Sequence, residues 1–563
     1  MSVGIDFGTT NSVVARWTGS DVEVIQVDTP PGNWAGLGYD RVLPTVFGAG
    51  AENQPIFGWE AKQRPGSLAA VKRLLRAEEK AEVDGMEFSV EEIATMIFGH
   101  LRRAAPRSGA PEFQHAVVTI PANSRGLARY RTKVCAGMAG IQVQALMNEP
   151  TAAAMAYSIR APHDGTIMVV DWGGGTLDVT VLRNVDGVFM EEASKGIQQL
   201  GGLDLDAALQ QSIVQTIPDA NQWDSTRRNQ FRLDIERAKI LLSTQESVEI
   251  LLPDGTSRTI TRGMFEQVVR SQLERVREPI ARCLADTRLK SGDVNALVLV
   301  GGTCNIPLAR QIVADAVERA PAPGVNPMTA IAEGAAIASA ILAGQIDDKD
   351  FFVSTEHALG TEVLDPTTGT THFDVLIPRN HKLPARVTKT YFPITDFQEL
   401  LEVSVLEGDP ELPLGHVDNA LLKAWPVPIL EPGPASETAI DITFSYDVDG
   451  ILNVKAVGPN NQTLLDDDVS FGASADKSNL VRIARSANEA LSGGRLGADS
   501  GVSNSEASAV HHQHVTSART RIMPFVDDAE AKRIEVICDR VASGDSAAEG
   551  ELNQIINDYH YLL

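Results

Sequence analysis

From its N-terminus to about residue 345 the chain alternates short apolar runs with stretches in which apolar residues recur every three or four positions. That alternation of strand and helix signals belongs to α/β folds. The helical period is clearest in "VEEIATMIFGHLRRAA" (90–105), "RLDIERAKILLS" (232–243) and "MFEQVVRSQLERVREPIARCLADT" (264–287). "ALVLVGG" (296–302) predicts a fully buried strand that ends in a glycine pair ahead of the helix "IPLARQIVADAVERA". Beyond residue 356 the period becomes two. "FDVLIPRN", "ARVTKTYFPI", "LEVSVLEGD", "AIDITFSYDVDGILNVKAVG" and "TLLDDDVSF" are short alternating segments separated by turns, which predicts an antiparallel β domain. From 474 the helical period returns in "KSNLVRIARSANEAL", followed by a Gly/Ser-rich, flexible composition over 492–509 and two closing helical stretches. Between the two regimes "GQIDDKDFFVSTE" (344–356) is acidic, then apolar at Phe351, Phe352 and Val353, then polar, as an interdomain linker with a sticky centre would be. The expected parts are therefore 1–345, a linker 346–356, a β domain 357–473 and a short helical region 474–563.

Two apolar runs are interrupted in the same way. "VVDWGGGTLDVTVL" (169–182) places Asp171, Gly173, Gly174, Gly175 and Thr176 between strands rich in β-branched residues. "VGIDFGTTNSVVA" (3–15) places Asp6, Gly8, Thr9, Thr10 and Asn11 in the same order, 165 residues earlier. One glycine turn between strands is most simply a hairpin. Two copies with acid, glycine and hydroxyl in one order suggest related lobes gripping a polyphosphate from both sides, since bare amides and hydroxyls suit phosphate oxygens. The Asp at each strand end suits a hydrated Mg²⁺, which takes oxygen ligands and keeps several waters. No G-x-x-x-x-G-K-[ST] occurs, which excludes a P-loop.

Composition narrows the classes further. At 563 residues the chain is too long for one core. With 74 acidic against 49 basic residues the net charge is −25, which disfavours nonspecific nucleic-acid binding and anionic membranes. Cys135, Cys283, Cys304 and Cys538 are far apart with no C-x-x-C, so neither a zinc site nor a disulfide framework is indicated. The "DVDG" at 447–450 lacks the later ligands of a calcium loop and reads as a hairpin turn. No apolar run reaches eighteen residues, and no basic-then-apolar leader precedes Val3, so a cytoplasmic protein with no membrane or nucleic-acid partner is expected.

With both hairpins, "VTIPANSRGLARYRT", "NEPTAAAMAYSI", "LGGLDLD", "IERAKILLS", "LVGGTCNIP", "EGAAIASAIL" and "VSVLEGD…FSYDVDGILNVKA" in this order, the chain resembles the seventy-kilodalton heat-shock chaperones, the DnaK-like family, over residues 3 to 475. The resemblance implies an α/β, actin-like two-lobed ATPase domain, an antiparallel β-sandwich that holds extended peptides, and a short α-helical C-terminal segment. It implies ATP/ADP and Mg²⁺ as cofactors. Lys72 matches the catalytic lysine that orients the attacking water, and Thr176 the threonine near the γ-phosphate. Glu149 belongs to the outer shell of the metal, which Asp6 and Asp171 hold through water. Gly8, Thr9, Thr10, Asn11, Gly174, Gly175, Gly202, Gly302 and Thr303 fall on the nucleotide-binding segments, and Glu236, Lys239 and Ser243 on positions that meet ribose and adenine. Pro121 and Arg129 match a relay pair between the lobes.

The implied partners are unfolded or extended polypeptides, with a J-domain co-chaperone and a nucleotide exchange factor. Leu364, Tyr391, Leu401, Val403 and Ile440 match positions that line the peptide groove, although period-two spacing alone makes them sandwich core. Departures from the pattern are specific. Two arginines that sandwich the adenine in the family are Ile240 and Asn305 here, which predicts a weaker base clamp, and the arginine that docks J-domains is Ala145. Lobe I and the lid are shorter than in typical members. One other reading is a weakly hydrolysing nucleotide-binding co-chaperone or regulatory module, which single-turnover hydrolysis separates; another is an actin-like filament protein or sugar kinase, against which the β domain argues.

Overall fold

The N-terminal hairpin forms as its pattern predicts: β1 (Val3–Phe7) pairs antiparallel with β2 (Asn11–Trp17), with Ile5 opposite Val14 and Asp6 opposite Val13. β3 (Val22–Ile25) and β4 (Leu43–Pro44) add to β2, while β5 (His115–Ile120) lies parallel to β1 and β6 (Gln142–Asn148) parallel to β5. A second sheet repeats the arrangement. β7 (Gly165–Trp172) and β8 (Leu177–Val185) form the hairpin, β9 (Val188–Ile197) extends it, and β10 (Ala296–Val300) runs parallel to β7. In each sheet, then, a glycine-turned hairpin has a parallel strand beside its first strand. The quasi-repeat of the sequence is a repeat of topology. Val169, Val170, Val179 and Val298 are fully buried, each stabilising the second sheet by about 1.5–3 kcal/mol.

This computed structural model describes the chain except residues 77–79, 123, 125, 162–163, 218–222, 347–354, 356, 366, 380, 417–418, 448–451, 470–476, 497–517, 524–525, 527, 543–544 and 560–563. The centre of the expected linker, Phe351 to Val353, lies outside the described residues, as do most of 492–509 and the tip of the 447–450 turn. Residues 1–122, 131–349 and 472–563 make one unit, and 123–130 with 350–471 a smaller one.

Six helices of the larger unit matter to the cleft. α1 (Val71–Leu74) follows Ala70, whose left-handed φ of 57° costs about 1–2 kcal/mol and turns the chain inward. α2 (Val90–Arg107) starts at Ser89, whose side chain caps the Glu92 amide at 3.2 Å. α3 (Glu149–Ser158) begins directly at the end of β6, with Pro150 in its first turn. α4 is Gly202–Val214, α5 is Ser225–Leu241 and α6 is Ala330–Leu342. α6 lies against α3 and β1 at backbone contact. A Cβ on Gly334 would stand 1.8 Å from the Ala152 carbonyl oxygen, and one on Gly4 2.2 Å from the Ala336 nitrogen. Only glycine fits at either place.

Two helix expectations need correction. α5 starts seven residues before 232 because Asp224 caps the Arg227 amide at 2.8 Å, and a polar first turn carries no apolar period. The stretch 264–287 is two helices, Arg262–Leu273 and Arg277–Asp286, joined by a 3₁₀ turn at Glu274–Val276. Pro279 has no N–H and its ring opposes the Arg275 carbonyl, so one continuous helix is blocked.

After 472 the chain returns to the larger unit. α7 (Lys477–Leu491) packs along α2: Ser486 Oγ donates to Glu92 at 2.6 Å, Asn488 Nδ2 to the Met138 carbonyl at 3.0 Å, and Arg103 to the Leu491 carbonyl.

The smaller unit contains two antiparallel four-stranded sheets. One has the order β12-β11-β14-β15, from β11 (Ala358–Leu364), β12 (Thr371–Ile377), β14 (Leu400–Gly408) and β15 (Ala420–Pro428). The other is β13-β16-β17-β18, from β13 (Ala385–Tyr391), β16 (Ile440–Tyr446), β17 (Leu452–Val457) and β18 (Thr463–Asp468). The period of two survives as alternate burial along β17, where Leu452, Val454 and Ala456 point inward. Among the described residues no helix is long and apolar enough to cross a membrane.

Candidate functional site

The two glycine hairpins face each other across one cleft. A Cβ on Gly174 would stand 1.8 Å from Thr10 Oγ1, and one on Gly175 2.8 Å from Thr9 Cγ2. Only bare backbone allows this approach. The Gly174 and Gly175 amides make no hydrogen bond among the described residues, and Thr10 Oγ1 and Asn11 Oδ1 are buried there without a partner. Such groups need a ligand or water. The second hairpin is fixed from behind: Trp172 Nε1 donates to the Leu200 carbonyl at 2.9 Å, the Gly202 amide at the start of α4 to Gly173 at 3.0 Å, and Thr303 Oγ1 to the same carbonyl at 2.8 Å. This part of the cleft, open to solvent, spans about 620 Å³ and is lined by Asp6, Gly8, Thr9, Lys72, Pro121, Glu149, Asp171, Gly175 and Thr176, among others.

Its charge is concentrated and mostly negative. Lys72, 6% exposed on α1, forms an ion pair with Glu149 at the start of α3. Asp6 ends β1, and its carboxyl is pushed up to about 7 by burial and then by Glu149, against the pull of Lys72 and a 3.2 Å hydrogen bond from Thr119. Asp171, ending β7, is raised well above the carboxylate range by burial, then by Glu149, Asp178 and Asp6. Carboxylates withdrawn from water and crowded this way call for a cation. Arg73, beside Lys72, donates to the Gly175 carbonyl and so ties α1 to the second hairpin. The sequence reading missed it, because one arginine in a basic pair carries no local mark.

A second compartment of about 490 Å³ shares Thr10, Asn11, Gly174 and Gly302 with the first and continues over α4 and α5. Gly202, Glu236, Lys239, Ser243 and Thr303 line it. Lys239 donates to Asp206 at 2.7 Å and to the Gly202 carbonyl at 3.0 Å. Burial would raise the Glu236 carboxyl, yet Lys62, 2.7 Å away, and Lys239 hold it below the usual value. Asp206 goes the other way, up to about 6, because its burial outweighs Lys239 and Glu236 repels it.

The expected clamp positions separate here. Ile240 lines the compartment, but Asn305 is exposed at the end of a 3₁₀ turn, and the wall there is its neighbour Ile306. Tyr39 also lines this compartment and was not anticipated.

Pro121 lines the first compartment, while Arg129 is buried in the helix Gly126–Met138 and is assigned to the smaller unit. Ala145 is buried within β6, opposite Val117. In the smaller unit Tyr391 and Ile440 are cross-strand partners on β13 and β16, whereas Leu364, Leu401 and Val403 lie on β11 and β14 of the other sheet. Val403 and Ile440 are buried, and Leu364, Tyr391 and Leu401 are partly exposed.

With this geometry in hand, comparison with known proteins is direct. The Hsp70 protein family model matches residues 63–559. The Chaperone protein DnaK of Methanothermobacter thermautotrophicus is 32% identical over 473 residues, covering 81% of this chain and 77% of its own. Those of Thermosipho africanus and Thermosipho melanesiensis are 32% and 33% identical over 477 residues, at the same coverage. The chain belongs to the Hsp70 family. It is an ATP-dependent chaperone, and its enzymatic activity is hydrolysis of ATP.

Proposed function

We propose that the cleft between the hairpins binds the triphosphate of ATP, with Thr9, Thr10, Gly174, Gly175 and Thr176 around the phosphates and Glu236, Lys239 and Ser243 toward the ribose and base. The approach of Gly174 and Gly175 to Thr9 and Thr10, beside the buried Lys72–Glu149 pair, is the observation that carries this reading. Lys72 orients the attacking water, and Glu149 fixes the Lys72 ammonium. Phosphoryl transfer depends on such positioning and on charge stabilisation.

The residues present fit a hydrated Mg²⁺. Asp6 and Asp171 would hold it through water, and their raised carboxyls are those of a site that gains from a cation. When bound, it supplies positive charge against the phosphate oxygens.

In the rest of the molecule, residues 1–345 form the two-lobed actin-like ATPase domain, 357–473 a β-sandwich for extended apolar peptides, and 474–563 a short lid-like region. Leu364, Tyr391, Leu401, Val403 and Ile440 contribute to the peptide groove, and ATP state controls peptide affinity through the linker 346–356. Clients are unfolded polypeptides in the cytoplasm. A J-domain partner and an exchange factor complete the cycle, the former docking without the family's arginine, since Ala145 offers no donor. Pro121 and Arg129 relay nucleotide state between the lobes.

The test is single-turnover hydrolysis by Lys72→Ala. ATP binding should persist, and the rate should fall about a hundredfold, near 3 kcal/mol of transition-state stabilisation. Parental turnover would remove Lys72 from the reaction.

A further inference from the structure

The loop between β3 and β4 brings Trp34 and Tyr39 against Trp59, of the short helix Gly58–Lys62, in an aromatic cluster that reaches the cleft. Trp34 and Trp59 have ring centroids 4.7 Å apart, and Tyr39 stands edge-on to both, at 5.8 and 6.1 Å. All three are buried, and Tyr39 faces the second compartment, its hydroxyl 4.0 Å from where a Cβ on Gly302 would stand. Ile240, reaching in from α5, packs against this same cluster. Lys62 Nζ lies 4.9 and 5.0 Å from the Trp34 and Trp59 rings while pairing with Glu236. The two tryptophans thus hold the lysine that holds the carboxylate.

We infer that the nucleobase of ATP is held by an apolar and aromatic seat that Tyr39 and Ile240 form together, in place of stacked guanidinium groups. This rests on the nucleotide reading of the cleft given above. An aromatic ring and a branched aliphatic side chain both gain by covering a flat, weakly hydrated base. Arginine at position 240 would instead press a second cation toward Lys62 and lose the packing against the cluster. The isoleucine is therefore part of a different construction of the pocket, and Asn305 is not needed to complete it. Burial raises the Tyr39 phenol, with Glu236 and Asp206 adding to the effect, so the hydroxyl stays protonated at neutral pH.

The experiment measures calorimetric affinities of the full chain for magnesium-ATP and for magnesium tripolyphosphate, which lacks the nucleoside. The ratio of the two reports what the nucleoside contributes. Tyr39→Ala should lower that ratio roughly tenfold, and Ile240→Ala severalfold, with tripolyphosphate binding unchanged, whereas Tyr39→Phe keeps the ring and the parental ratio. Ile240 is only partly buried, so Ile240→Ala decides the matter alone if Tyr39→Ala does not fold. An unchanged ratio in the alanine variants that fold overturns the inference. Gly174→Val serves as the control for the underlying reading. If it binds both ligands normally, the phosphate site has been misplaced; if it loses both while the alanine variants keep the parental ratio, only the aromatic seat is wrong.

Discussion

The two compartments of the cleft reach the same task from opposite chemistry. The end proposed for the phosphates is backbone, hydroxyls and charge: glycines at contact with threonines, a buried Lys72–Glu149 pair, and carboxyls raised by burial and by one another. The end proposed for the base is side-chain surface: Tyr39, Ile240 and Ile306, with ion pairs Lys62–Glu236 and Lys239–Asp206 at its edge. Phosphate geometry leaves little freedom, because each bare amide must point at an oxygen. A flat base accepts any surface of matching shape and polarity. Divergence is therefore expected where the ligand is apolar and tolerant, and it is found there.

The contrast is sharpest at Gly174. Gly174→Val inserts a Cβ where Thr10 Oγ1 already stands, so affinity for ATP and for tripolyphosphate should both fall more than a hundredfold by calorimetry, over 2.7 kcal/mol. Lys62→Met attacks the other end. It leaves Glu236 buried with only the weaker pull of Lys239 and Arg232, and a thermal or urea titration should show a loss of about 3 kcal/mol of stability with tripolyphosphate binding intact. A smaller effect is expected from pH. Asp206 titrates near 6, and its charged form is the better acceptor for a ribose hydroxyl, so adenosine affinity should rise as pH increases through 6. The change should be about fivefold between pH 5 and 7.5 and should vanish in Asp206→Asn; adenosine is used because it carries no phosphate that titrates in this range. The same Asp206 has the opposite effect on folding. Its carboxyl is raised above its unfolded value, so it contributes stability at low pH that is lost as pH rises from about 4 to 6. Least of all should follow from Asn305→Ala. An exposed residue outside the cleft should leave ATP affinity within about twofold of the parent, an isotherm shift too small to matter.

The phosphate end was legible in the sequence because its signal is local. Asp6 to Asn11 and Asp171 to Thr176 each carry acid, glycine and hydroxyl within six residues, and the spacing alone suggests the chemistry. The base end was read only through its departures from the family, at Ile240, which lines the compartment, and at Asn305, which is exposed beside the lining Ile306. Tyr39, Trp34, Trp59 and Asp206 gave no warning. They come from a loop without period and from the interior of a helix, and only folding brings positions 39, 59 and 240 together. Secondary structure shows the same division. The β-branched runs marked both hairpins and the strand Ala296–Val300, while the break at Glu274–Val276 required weighing one proline against a strong helical period.

The return of α7 to α2 also has a consequence for how the chain is made. On the ribosome, residues 1–349 are complete before any of 477–491 exists, so the face of α2 around Gly99 and Arg103 waits for a helix encoded about 130 residues later. At roughly 5–20 residues per second that interval is on the order of ten seconds. Through it the nascent N-terminal portion carries an uncovered seam, which α7 closes once it emerges.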